Sequence, residues 1–443
     1  MVNNESTIEK LTGTFSDQLS ATESMRQELK SLISYLNLAG TDVASFILNC
    51  YREYTGSKPD PDKPLSKKEG ALFLHALSVK VRKVFPDVSG ENNVTQLSGI
   101  KKGSTVFSEI YVEKGALTYP LTNRILSRFP ERKVTEIAHY KDIFNVAGQD
   151  FLAQKRSPAL ILAVNNGRRI YDGARPCQSF GHEYFTYTSQ VKNCLYDCEY
   201  CFLRGMYPSG NIVIFVNTDD YFSDIDAELK DHPLYLSIAY DTDLLALEGF
   251  TGIVKKYCEF AANRPELLIE IRTKCASGTV YDMLKTVSVD NAGSNFFPSN
   301  IILAYTISPE PIAKAYEHWA GSFQARKSAI YSSLRAGIRT RVCIDPMIAV
   351  KGWQDIYGNM IDELFSDPVM TKLEDISVGT FRISSSYIKR LKKTALTQIS
   401  AYPYENTDGM CGYDEKLRME MTEFVKERIG RYFPTEKIFI SDY

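Results

Sequence analysis

From residue 105 onward the chain alternates short β-rich runs with helix-patterned stretches, and this alternation limits the fold more than any other feature. The β-rich runs are SEIYVEK, KVTEIAH, ALILAVN, NIVIFVN, PLYLSIAY, LLIEIRTK, NIILAYTIS, TRVCIDPMI and DISVGTFRI. Helical patterns such as LALEGFTGIVKKYCEFAAN and EPIAKAYEHWAGSFQARKSAIYSSLRAG separate many of them. Strands alternating with helices predict βαβ units around a parallel sheet, an α/β fold. The run ending at Asn217, then YFSDIDAELK, then PLYLSIAY reads as one such unit. The sequence contains no internal repeat and no low-complexity tract.

The first hundred residues differ. Apolar residues recur at helical spacing from 17 to 56, with Gly40 as a stop and Thr41 as a new N-cap. SKPDPDKPLSKKEG is a proline-rich turn, ALFLHALSVKVRKVF a further helix, and GENNVTQLSGIKKGS a linker. The reading is a helical N-terminal region of unknown role over 1–104 and a second domain over 105–443. A chain of 443 residues has length for two or three domains. Its net charge of −2 gives no global signal for nucleic acid, so any DNA contact has to rest on a local basic face. No run reaches the ~18–20 apolar residues of a membrane span. MVNNESTIEKLTGTF does not read as a signal peptide. Nine scattered cysteines, an odd number, argue against a disulfide framework and for a reducing, cytoplasmic setting.

Three of those cysteines, Cys194, Cys198 and Cys201, stand together in NCLYDCEYCFLRGMYP. A structural zinc site takes four Cys or His ligands, often as two C-x-x-C pairs, and no such partner pair follows. A ferredoxin-type run places a fourth cysteine a few residues on, where this chain reads FLRGMYPSG. A thioredoxin-like C-x-x-C leaves Cys194 without a role. Three buried structural cysteines are the bland alternative. The spacing C-x3-C-x2-C, with Tyr200 before the last cysteine, resembles the signature of the radical S-adenosylmethionine (SAM) superfamily. That resemblance implies a 4Fe–4S cluster on three thiolates, with one open iron that chelates SAM.

The flanking chain narrows the resemblance. SEIYVEKGALTYPLTNRIL, HYKDIFNVAGQDFLAQKRSPALILAV, YDTDLLALEG, ARKSAIYSSLRAGIRTRVCIDPM and VGTFRIS resemble the spore photoproduct lyase family. The likeness covers about residues 105–443. It implies a partial (β/α)6 TIM-like barrel of radical SAM type, with the cluster loop after the first barrel strand. It implies an enzyme that reverts a thymine-dimer photoproduct in DNA. It also implies a reductant such as flavodoxin or ferredoxin as partner. Carried over by motif, Thr242 in YDTD contacts SAM, Lys274 in IRTK meets the SAM carboxylate, and Thr306 in AYTIS lies near the SAM ribose. A compact ammonium suits a carboxylate, although a lysine at a strand end is otherwise free to snorkel into solvent.

The departures carry as much information. The family places a hydrogen-donating cysteine where this chain has Tyr240, and a second relay tyrosine where it has Phe202, while Tyr200 is kept. A phenyl ring has no O–H to relay. Tyr240 is one candidate donor, and Cys275, Cys177 and Cys411 are others, although a cysteine is more often a small buried hydrophobe. YIKRLKKT, with Lys389, Arg390, Lys392 and Lys393, and the arginines 335, 339 and 341 are candidate phosphate contacts. A solvated helix face is the plainer reading of such a run. The competing functions are a radical SAM enzyme on another substrate and a non-catalytic iron–sulfur sensor.

Overall fold

The computed structural model describes residues 5–88, 106–173, 177–276, 288–289, 295–394 and 397–441. They form two compact units. One unites the helical region up to residue 88 with Ile348–Trp353 and Arg382–Asp414; the other holds the remaining described residues.

In the first unit four helices span Glu5–Gln18, Glu23–Leu38, Val43–Thr55 and Lys67–Val81. Thr22, Asp42 and Ser66 cap the last three, and Ser66 with Glu69 makes a reciprocal capping box. Gly40 ends the second helix at φ +74°, as expected. The next cap is Asp42 rather than Thr41: its carboxylate accepts from Ser45 N at 3.2 Å and from Ser45 Oγ at 2.8 Å. A carboxylate there also meets the positive end of the helix dipole, which a threonine hydroxyl does not match. Leu29, Leu32, Leu36, Phe73 and Leu77 form the buried stripe. A later part of the chain closes this unit. The Tyr402 ring packs edge-on against Tyr35 at 5.3 Å, and Gln398 Nε2 donates to Leu38 O at 2.8 Å. The linker read at GENNVTQLSGIKKGS lies outside the described residues.

The second unit is built on an eight-stranded sheet. In spatial order its strands are Ile438–Ile440, Ile376–Thr380, Thr340–Met347, Ile301–Thr306, Leu267–Thr273, Leu234–Ser237, Phe185–Thr188 and Ile170–Asp172. Every neighbouring pair is parallel except the last, a hairpin. Spatial order follows chain order from Phe185 onward, and helices such as Ile253–Ala261, Phe323–Arg335 and Trp353–Leu364 make the crossovers. This is an α/β succession of partial TIM-barrel type. Strands such as Ile301–Thr306 are buried along their whole length, so they read as continuous apolar runs.

One sequence expectation changes here. Ile212–Phe215 does not sit beside Leu234–Ser237 in a βαβ unit. It joins a separate five-stranded sheet, between Leu160–Ala163 and Val191–Lys192. Helix Thr218–Glu228 then carries the chain to the barrel sheet. An apolar run specifies a buried strand, and its neighbours are chosen by tertiary packing. The chain crosses between the two sheets over Ser189 and Gln190, just ahead of the cysteine motif.

Glu248, at 0% exposure, bridges the break between helices Leu244–Thr251 and Ile253–Ala261. Its carboxyl accepts from Val254 N at 2.8 Å and Lys255 N at 3.0 Å. Burial pushes its pKa from 4.5 up to about 7. Folding therefore favours the protonated acid: its stabilisation is complete below pH 4.5 and is lost as pH rises through 7. Between pH 5 and pH 8 the native chain should lose on the order of 3 kcal/mol more stability than Glu248→Gln. Urea unfolding at the two pH values checks this, and parallel losses would refute it.

Candidate active site

The cysteine loop begins at a forced turn. Asn193 takes φ +71°, a region that asparagine tolerates better than most residues. Its buried amide donates to Ser209 O at 2.8 Å and Asn211 O at 3.1 Å, while its Oδ1 accepts from Cys194 N at 3.0 Å. The Lys155 ammonium reaches the same Oδ1 at 3.0 Å and the Cys194 carbonyl at 2.7 Å. Further on, Asp197–Cys198 pairs antiparallel with Glu317–His318. Arg204 closes the loop with an ion pair to Asp197 at 2.7 Å. Cys194, Cys201 and Phe202 pack against an apolar cluster that includes Phe144, Leu203, Tyr207 and Val213.

Glu317 ties this loop to the barrel. Its fully buried carboxylate pairs with Arg326, which is itself fully buried, and accepts from the Tyr200 hydroxyl and from Ser308 Oγ at 2.8 Å. Arg326 also donates to the Thr306 carbonyl at 2.9 Å. Burial first, then the Glu317 charge, pushes the Tyr200 phenol well above its usual range.

The remaining sequence candidates stand at the C-terminal ends of the parallel strands, the end where barrel enzymes carry their sites. Tyr240 and Thr242 follow Leu234–Ser237, Lys274 follows Leu267–Thr273, and Thr306 ends Ile301–Thr306. Asp243 joins two of these ends. Its carboxylate accepts from Ala246 N at 3.2 Å, Thr273 Oγ1 at 2.8 Å and Lys274 N at 2.6 Å. Lys274 Nζ lies 5.3 Å from the centre of the Tyr200 ring. Burial opposes the charge on Lys274, but Cys198 and Glu317 outweigh it and hold its pKa above the ordinary lysine value. The Thr242 hydroxyl is buried without a hydrogen-bond partner among the described residues, as is Asp241 Oδ1 of the neighbouring residue.

Tyr240 is packed against two other aromatic rings. Its ring stacks on Tyr187 at 4.0 Å and meets Phe202 at 5.8 Å. The Cys177 thiol donates to its hydroxyl at 3.6 Å. Of the other candidate donors, Cys275 is buried beside Tyr196, and Cys411 belongs to the first compact unit.

Among the described residues, no three His, Cys, Asp or Glu side chains converge on a single-ion centre. A polynuclear cluster, where each thiolate binds a different iron, does not need that convergence. The donor set fits such a group: three cysteines outside any disulfide on one short loop against apolar packing, with a lysine ammonium alongside. Cys194, Cys198 and Cys201 would hold it. A partial β/α barrel with this loop after its first strand defines an enzyme of the radical SAM class. The spore photoproduct lyase family model matches residues 106–440. The spore photoproduct lyase of Geobacillus sp. (strain Y412MC61) is 21% identical over 355 residues, covering 74% of this chain and 96% of the relative. A solved spore photoproduct lyase double mutant with bound AdoMet and dinucleoside spore photoproduct superposes with a TM-score of 0.62 at 19% identity. It covers 78% of this chain and all (100%) of that one. Another, complexed with dinucleoside spore photoproduct, gives 0.62 at 18% identity and covers 76% of this chain and 99% of that one. The chain belongs to the spore photoproduct lyase family.

The arginines read as phosphate contacts are otherwise engaged. Arg335 pairs with Asp367 and Arg339 with Glu374. Arg341, 1% exposed, lies inside the barrel, where it meets Asp375 Oδ2 at 2.7 Å, Glu270 Oε2 at 2.5 Å and Tyr235 Oη at 2.6 Å. Buried carboxylates need such a counter-charge, which accounts for its presence. Lys389, Arg390 and Lys393 are exposed on helix Ser385–Thr394, whose Ile388 and Leu391 face inward. Asn193, Lys155, Asp243, Glu317 and Arg326 are the site residues that sequence reading passed over. A polar residue directly before the first cysteine was the one local signal available.

Proposed function

We propose that this chain reverts a thymine-dimer photoproduct in DNA by radical chemistry. The observation that supports this best is the grouping of Cys194, Cys198 and Cys201 with the Lys274 ammonium. When bound, a 4Fe–4S cluster with SAM supplies a 5′-deoxyadenosyl radical that abstracts hydrogen. Lys274 offers its ammonium to the SAM carboxylate, Thr242 its hydroxyl to SAM, and Thr306 borders the ribose. Tyr240 gives a hydrogen atom to the product radical in the role a cysteine fills in the family. Tyr200, whose hydroxyl donates a hydrogen bond to the Glu317 carboxylate, is the relay tyrosine that this chain keeps. A lesion within a duplex has to leave the stack to reach such a site, and the exposed Lys389 and Lys393 would meet its phosphates. An electron donor of the flavodoxin or ferredoxin type and a reducing, cytoplasmic setting complete the scheme.

A second reading, another substrate for the same radical chemistry, draws on Tyr240 and Phe202 at the two altered positions. Anaerobically reconstituted protein with SAM, a strong reductant and DNA carrying spore photoproduct separates the two. Loss of lesion with formation of 5′-deoxyadenosine is the expected result. 5′-Deoxyadenosine without repair would favour the second reading. Neither product would leave the iron–sulfur sensor.

A further inference from the structure

The barrel interior holds a second arginine, one that the radical chemistry above leaves unused. Side chains alternate along strand Leu267–Thr273. Ile269, Ile271 and Thr273 are buried on the outer face, whereas Leu268, Glu270 and Arg272 share the inner one. Glu270 marks that face as the inner one, because it meets Arg341 inside the barrel. Arg272 thus stands one step nearer the C-terminal end than Glu270, and one step short of Lys274. Its side chain keeps 31% of its surface accessible, against 4% for Glu270 and 1% for Arg341.

The two interior arginines differ in the donors they have left. Arg341 uses all three nitrogens, on Asp375, Glu270 and Tyr235. Arg272 uses only Nε, which donates to Glu270 Oε1 at 3.1 Å. Its two terminal amino groups have no hydrogen-bond partner among the described residues and keep contact with solvent. The accessible end of this side chain is therefore a donor fork without an acceptor.

Asp345 supplies the complementary group. By the same alternation it shares a face of strand Thr340–Met347 with Arg341 and Cys343, and its Oδ2 accepts from Ser441 Oγ at 3.3 Å. Burial opposes the charge on Arg272, but Cys343, Glu270 and Asp345 outweigh it. Asp345 acts on Arg272 through space, with no ion pair between the two. Ala304, in register with both Arg272 and Arg341, adds only a methyl group between them.

Charge decides what kind of ligand fits. Glu270, Asp375 and Asp345 face Arg272 and Arg341, three carboxylates against two guanidiniums. A phosphate or carboxylate would add to a surplus of negative charge. A neutral group that offers a carbonyl to Arg272 and an N–H to Asp345 satisfies both. Carbonyl and N–H side by side in one plane are the edge of a cyclic imide, and a pyrimidine such as thymine carries one.

We propose that Arg272 and Asp345 read the imide edge of a pyrimidine base in the barrel interior. This rests on the reading of the substrate as a thymine lesion above. Arg272 donates to a ring carbonyl, and Asp345 accepts from the ring N3–H. Cytosine has no hydrogen on that ring nitrogen, so Asp345 would face an acceptor there and the base is turned away. The two residues set specificity and take no part in hydrogen transfer.

The test is binding, ahead of any radical step. Reconstituted holoenzyme with SAM and no reductant is titrated by calorimetry with 5,6-dihydrothymidine and with its N3-methyl derivative. The native protein should bind the first and reject the second by roughly 10–100-fold, the range of one hydrogen bond to a charged group. Asp345→Asn should shrink that ratio, because a neutral oxygen is the weaker acceptor. Arg272→Met should weaken both ligands alike and leave the ratio standing. Damage to the fold also moves both ligands together, so the ratio isolates the contact at N3. Arg272→Lys keeps a charge beside Glu270 and carries the arginine arm if the methionine variant does not fold; it too should weaken both, since an ammonium lacks the fork. No binding of dihydrothymidine, equal binding of the two ligands, or an undiminished ratio in Asp345→Asn would overturn the proposal. So would competition by inorganic phosphate that Arg272→Met abolishes, which would make this an anion site. Repair of dinucleoside spore photoproduct decides the substrate reading separately. Repair without N3 discrimination sinks the imide contact alone, whereas N3 discrimination without repair keeps the contact and assigns it to another imide-bearing substrate.

Discussion

Cys198→Ala is expected to yield a folded protein that holds little iron and no longer cleaves SAM. The side chain is small and 4% exposed, so removing its sulfur costs the fold about 1 kcal/mol. The backbone pairing of Cys198 with Glu317 does not depend on the thiol. Iron binding would, because Cys194, Cys198 and Cys201 would each have to supply a thiolate to the cluster and the variant offers only two. Lys155→Met provides the graded comparison. It keeps all three thiolates but releases Asn193 and the Cys194 carbonyl. Outer supports of this kind contribute roughly 10–100-fold to metal affinity, so the lysine variant should bind weakly where the cysteine variant fails. Iron and sulfide content after anaerobic reconstitution, with 5′-deoxyadenosine yield, reads both. A full cluster complement in Cys198→Ala would remove the assignment of this loop as the iron site.

The parts of the molecule that were legible in sequence are those written in consecutive residues. The three motif cysteines lie within eight positions, so a local spacing was enough to carry the resemblance to a radical SAM signature. Strands buried on both faces announce themselves as apolar runs, and the motifs that matched Lys274 and Thr306 to the family lie at the ends of two such runs. The hidden parts depend on contacts across long separations. The sheet that receives Ile212–Phe215 is decided by Leu160–Ala163, some fifty residues away in the chain. Lys155 reaches Asn193 over 38 residues, and Tyr200 reaches Glu317 over 117. Arg341 looked like a surface cation in AGIRTR. Its burial follows from the barrel register, which brings Glu270 and Asp375 to it. A charged residue inside a barrel strand carries no local mark of whether its partner is a phosphate or a carboxylate.

Glu317→Gln is expected to produce the largest loss of stability of any single isosteric change in this site, about 3–5 kcal/mol. The substitution keeps shape and leaves an oxygen for Tyr200 and Ser308 to donate to. What it removes is the negative charge facing Arg326, a side chain at 0% exposure whose guanidinium has one carboxylate partner among the described residues. Desolvating a guanidinium is tolerable only against a counter-charge, so the cost is that of an orphaned buried cation rather than of one hydrogen bond. The same reasoning predicts rescue: Glu317→Gln combined with Arg326→Met discards both charges and should recover most of the lost stability, because an apolar replacement of a buried pair is often nearly neutral. Urea midpoints for the two single variants and the double variant form a cycle that measures the coupling directly. Losses that simply add would show that the pair is not coupled and would undo this account. With coupling confirmed, iron retention should separate the roles. The double variant regains its fold, yet Tyr200 and the Asp197–Cys198 ribbon are held without the carboxylate that links them to the Thr306 strand, so its cluster should still be lost faster than in the native chain.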